Sequence, residues 1–177
     1  NTIIVYANQV EDGRIWEDEA DKNAIIAEAK FFRAYTNNVL ANLYGGVPIV
    51  DTIYSAPKTD FVRASRQEVL EFAAEDLEFA SEWLPETVEQ EGRIVKAAAD
   101  HLLAEVYISL GEYEKAVASA DAVINSGLYH LMTERFGTEK DQPGARDHLM
   151  LARVRPSGRP RVTRTAPAPW APRASPA

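Results

Sequence analysis

GRIVKAAADHLLAEVYISLGEYEKAVASADAVINSGLYHL, residues 92 to 131, decides the fold. In its first half Val95, Ala98, Ala99, Leu102, Leu103, Val106, Tyr107 and Leu110 recur three and four residues apart, which lines them along one side of a helix that must be buried. The second half repeats the pattern with Tyr113, Ala116, Val117, Ala120, Val123 and Ile124. Gly111 between them supplies the backbone freedom that a tight helix stop requires. The stretch therefore reads as two antiparallel helices joined by a turn. Ala98, Ala99, Ala104, Ala116 and Ala120 are small enough to let helix axes approach closely.

Working outward, Ile25, Ala29, Phe32, Val39 and Leu43 step at helical intervals through a long helix over 24–44, which Gly45-Gly46 ends and Pro48 keeps from resuming. The acid-rich segment from Glu11 to Asp21 reads as a solvated loop, with the helix capped near Asp21. Residues 47–65 carry Pro57 and only short apolar runs, so they form an irregular connection longer than most, of a kind that often carries function. Ser65 and Glu68 then spell a capping box for a helix whose buried side is Val69, Phe72, Ala73, Leu77, Ala80 and Leu84, closed by Pro85. An acidic linker over 86–92 leads into the hairpin, and Gly127 terminates its second helix. Four helices in two hairpins account for residues 24–126. Phe31, Phe32, Phe72 and Trp83 are expected in the core, and Tyr107 and Tyr113 are expected to pack at the turn.

The Leu-Gly-x-Tyr-x-x-Ala segment from Leu110 to Ala116 resembles the turn of a tetratricopeptide repeat. Three longer words make a narrower resemblance. These are AEAKFFRAYTNNVLANLYGGVPIV, Ala27 to Val50; the interval from Arg66 through Asp76-Leu77 to Leu84-Pro85; and the stretch from Gly92-Arg93 to Leu131. In that order they resemble the SusD/RagB family of nutrient-binding outer-membrane lipoproteins, over roughly residues 1–141. The resemblance implies an all-α fold of tetratricopeptide-like helical hairpins, incomplete here, with the opening NTIIVYANQV as a further helix. It also implies capture of an oligosaccharide, or in some members a peptide, at the cell surface, beneath which a SusC-like TonB-dependent transporter takes up the nutrient. The lipid-carrying cysteine that anchors such proteins to the outer membrane is not in this sequence, which reads as an internal fragment.

The formal charge of −8 averages two unlike parts. Residues 1–141 carry 12 Lys and Arg against 26 Asp and Glu, a balance of −14; residues 142–177 carry seven Arg and one Asp, a balance of +6. An acidic helical domain excludes nucleic-acid binding, which draws its affinity from basic side chains. The 1–141 helical domain thus gives way to a segment with seven Pro and no Lys, Glu, Ile, Phe or Tyr, expected to be disordered because it can bury too little apolar surface. Two origins for residues 142–177 stay open: a natural Pro/Arg/Ala-rich tail, or a reading-frame error in GC-rich coding sequence.

No residue pattern points to catalysis, and no cofactor is implied. The chain has no cysteine, and His101, His130 and His148 sit in no metal-ligand spacing. His101 and Glu105 share a helix face, and Glu75-Asp76 and Glu112/Glu114 form acid pairs, all read as solvated. Binding is the expected task, non-enzymatic. Sugar rings stack their apolar side on aromatic faces, with amides and charged groups meeting the hydroxyls. Outside helix interiors the candidates are Trp16 with Asn8 and Arg14, and Tyr54 in the long loop; each ring can equally be a cover over local core. The alternative function is a tetratricopeptide-type adaptor that grips a protein segment, although only one repeat-like turn is present.

Overall fold

The structure, a computed structural model, describes residues 1–10, 15–90 and 92–129. Its described elements are five helices: α1 Thr2–Gln9, α2 Glu19–Tyr44, α3 Arg66–Trp83, α4 Lys96–Leu110 and α5 Tyr113–Asn125. The opening segment is thus helical, as the resemblance implied. Residues 1–127 form one compact unit, and the expected tail over 142–177 lies outside the described residues.

Each helix packs on the next along the chain, with α4 also touching α2. The result is a layered stack with α3 at its centre. Alanines make the close approach possible: Ala27, Ala34 and Ala41 on α2 recur every seven residues, and Ala73 and Ala80 on α3 do the same, all buried. Between these flat stretches Phe31, Leu70, Leu77, Val69 and Val106 fill the core. Each such side chain removed from water contributes about 1.5–3 kcal/mol.

Local signals set the ends. Ser65 and Glu68 form the full capping box at the start of α3, and this hydrogen bonding holds the Glu68 carboxyl below its ordinary range. After α4 the chain turns at Gly111, whose φ of 82° lies in the left-handed region, and the Glu112 N–H reaches back to the Tyr107 carbonyl at 2.9 Å in a Schellman closure. The start of α2 differs from expectation: Asp18, not Asp21, is the cap, its carboxylate accepting from the Asp21 N–H at 2.8 Å. Glu19 and Asp21 then lie in the first turn, where the helix dipole favours acids.

Two apolar faces turn out differently from the sequence reading. On α2 the buried side is Ile26, Ala27, Phe31, Ala34, Asn37, Asn38 and Ala41, while Phe32, Val39 and Leu43 from the expected stripe are exposed. This helix has two apolar sides, and α3 and α4 cover the alanine-rich one because it permits closer packing. On α5 only Ala116 is buried; Tyr113, Val117 and Ile124 face outward, since α4 is the one helix packed on α5 among the described residues.

Candidate functional site

Helix α2 meets α3 across a polar seam that its sequence disguises as surface. Asp76, read as a solvated acid, is 1% exposed, and both of its carboxylate oxygens accept from Arg33, at 2.7 Å from Nε and 2.8 Å from Nη2. Lys30 Nζ donates to Oδ1 at 2.8 Å. Flanking the acid on the same face of α3, Phe79 lies under Lys30 and Phe72 under Arg33, each cation 4.8 Å from the ring centroid. The spacing explains the sequence: residues 72, 76 and 79 share one side of α3, and residues 30 and 33 lie one turn apart on α2. A buried carboxylate is tolerated when charge-assisted hydrogen bonds surround it, as here.

Arg33 also organises the long loop. Its Nη1 donates to Asn1 Oδ1 at 2.9 Å, and the Asn1 amide nitrogen donates to the carbonyls of Val50 and Thr52 at 2.8 and 3.1 Å. At the loop's neck Arg63 reaches the carbonyls of Tyr44 and Gly46, closing off the C-terminal end of α2, and the Ala64 N–H donates to the Val47 carbonyl at 3.1 Å. Gly46 is obligatory for this pinch, because a Cβ there would stand 2.0 Å from the Ala64 carbonyl oxygen. The irregular connection is therefore a loop tied at both ends.

Beyond the neck it carries a surface cluster. Tyr54 and Phe61 meet edge to face, with centroids 5.6 Å apart and planes at 82°, and Lys58 Nζ sits 5.6 Å from each ring. Lys58 is also paired with Asp60 at 3.1 Å. Both rings are exposed, as are Ile53 and Val62 beside them. Of the sequence candidates, Tyr54 thus gains a partner that the sequence reading missed; two aromatics straddling Pro57-Lys58 in one loop were the available signal. Trp16 is half-buried, and its indole N–H is buried with no partner among the described residues. Asn8 is exposed and spends its amide nitrogen on the Ile4 carbonyl at 2.9 Å. Arg14 lies outside the described residues. No hydrogen bond or ring contact among the described residues joins Asn8, Trp16 and Tyr54.

The remaining polar burial supports packing. Tyr107 donates its hydroxyl to Glu78, and burial first, then that carboxylate, pushes its pKa well above the ordinary phenol value. Ser81 donates to the buried Asp100. Among the described residues no three histidine or acid side chains gather to hold a metal ion, and no helix is long and apolar enough to cross a membrane.

Stacked helical hairpins with an aromatic loop at one end define an all-α, tetratricopeptide-like scaffold. Residues 3–108 match the sequence profile of the SusD-like family described as starch-binding and associating with the outer membrane, and the chain belongs to that family. It is 38% identical over 128 residues to SusD-like protein P2 of Formosa agariphila, covering 70% of this chain and 25% of that protein. It therefore spans about a quarter of the length of the curated relative it matches. A SusD superfamily protein from Bacteroides thetaiotaomicron superposes with a TM-score of 0.66 at 28% identity, over 75% of this chain and 31% of its own. A laminarin-binding SusD-like protein superposes with a TM-score of 0.61 at 24% identity, over 75% and 28% of the two chains.

Proposed function

We propose that this chain is part of a non-enzymatic surface protein that captures oligosaccharide at the outer membrane and passes it to a SusC-like TonB-dependent transporter, the membrane attachment being a lipid anchor. The observation that carries the reading is the family match over residues 3–108, whose description is starch binding in association with the outer membrane. The laminarin-binding relative shares the fold and extends the same ligand class to another glucan. Within the chain, the exposed Tyr54–Phe61 pair offers the aromatic faces such ligands need, on a loop whose ends are fixed before binding. Trp16, with Asn8 and Arg14 near it in sequence, is the second candidate surface. The adaptor reading gains no observation of its own.

Native gel electrophoresis of the 177-residue chain through embedded starch or laminarin tests this, because it registers weak binding as retardation. The expected result is retardation that Tyr54→Ala and Phe61→Ala reduce, with melting curves unchanged since both rings are exposed. A Trp16→Ala variant that loses retardation without losing stability would add that ring to the site. Retardation that Tyr54→Ala and Phe61→Ala leave unchanged would reject the aromatic pair as the glycan surface.

A further inference from the structure

The loop that carries Tyr54 and Phe61 has little packing to hold it. Residues 51–63 are exposed throughout, so burial contributes little to their order. Among the described residues, the hydrogen bonds that reach residues 50–62 from outside the loop come from Asn1 and Arg33. The Asn1 amide nitrogen donates to the Val50 and Thr52 carbonyls at 2.8 and 3.1 Å, and Arg33 Nη1 donates to the Asp51 carbonyl at 3.5 Å, the longest of the three.

Asn1 is diverted to this task. It is the N-cap residue of α1, where an Asn side chain ordinarily accepts from the N–H groups of the first turn, yet here it makes no such bond. Its oxygen instead accepts from Arg33 Nη1 at 2.9 Å while its nitrogen binds the loop. Arg33 holds that oxygen in place because Nε and Nη2 are already bound to Asp76, and the planar guanidinium leaves Nη1 no freedom to turn away. The chain of contacts therefore runs from the α2–α3 seam through Arg33 and Asn1 to the loop.

We propose that the Asn1 side chain is a latch that couples the docking of α1 to the order of the aromatic loop, with Arg33 as its positioning residue. The inference concerns the loop itself and holds for whatever ligand class the loop takes. Among the described residues Ala7 is the one buried residue of α1 and α2 is the one helix packed on it, so α1 opens more readily than the rest of the stack. When it opens, Asn1 leaves with it, and the Val50 and Thr52 carbonyls exchange its amide for water. The contacts among α2, α3 and α4 are untouched. By reciprocity, a ligand that rests on the ordered Tyr54–Phe61 pair holds α1 down.

The test is limited trypsin digestion of the 177-residue chain under native conditions, with the cuts located by mass spectrometry. Cleavage after Lys58 reports opening of the loop, and cleavage after Lys30, held in the seam on α2, reports opening of the core. Asn1→Ala is expected to speed the Lys58 cut roughly three- to tenfold and to leave the Lys30 cut unchanged. Asn1→Asp keeps an acceptor for Arg33 but replaces the donor with an oxygen that repels the two carbonyls. It is expected to free the loop with α1 still docked, as amide exchange in α1 reads. Ala7→Asp places a charge at the buried contact of α1, about 9 Å along the helix from Asn1, and so undocks α1 at a distance from the latch. A faster Lys58 cut in that variant is the coupling itself. An unchanged Lys58 rate in any of the three variants overturns the latch, as does a rise matched at Lys30, which marks a general loosening of the fold.

Discussion

Asp76 concentrates the electrostatic risk of this fold in one side chain. Removing a carboxylate from water is costly, and only the simultaneous grip of Arg33 and Lys30 offsets it. Asp76→Ala leaves two partly buried cations facing each other, so we expect a loss of about 3–5 kcal/mol in urea unfolding; a change below 1 kcal/mol would show the seam to be dispensable. Asp100 behaves differently. Burial raises its pKa, against the opposing pull of the Ser81 hydrogen bond and of Lys96. The folded state therefore holds this proton more tightly than the unfolded chain, and the group's contribution falls as pH rises from the unfolded value near 3.8 through the raised folded one, then stays level. Asp100→Asn removes that loss. The variant should melt at or above wild type at pH 7, with the gap narrowing toward pH 4; a gap that widens on acidification would contradict the assignment.

The hairpin of α4 and α5 turns on a distinction between neighbouring residues. Ala116 is 5% exposed and sits where the second helix crosses the first, whereas Val117 is 59% exposed. Ala116→Trp should overpack the contact and cost about 1–3 kcal/mol, while Val117→Lys should stay within about 0.5 kcal/mol of wild type, as surface changes do. Thermal melts of the two variants side by side check this. Equal effects would mean that α5 presents a different face to α4. The neck of the loop between α2 and α3 shows the same economy, since Gly46 permits the close approach and Arg63 bonds across it.

In the whole molecule, stability is graded by how many neighbours each helix has. The core cluster draws on α2, α3, α4 and Ala116 of α5, whereas among the described residues α2 is the one helix packed on α1, and Ala7 is the one buried residue of α1. Amide exchange should therefore be slowest in α3 and α4 and fastest among the helices in α1, which opens without breaching the core. Protection of α1 equal to that of α3 would show the five helices to unfold as one.

Helix identities, the Ser65–Glu68 box, the Gly111 turn and the family words were all legible in the sequence, because each depends on periodicity or on residues within a few positions of one another. Tyr54 was legible as a loop aromatic, but not Phe61 and Lys58 as its partners. Which side of α2 is buried, which α5 residues find a neighbour, and that Asp76 lies inside rather than in water were decided by tertiary structure. The physical reason is common to all of these. A helix with two apolar sides, or an acid among many acids, carries no local mark of its surroundings, and burial is fixed only when another helix arrives to exclude the water.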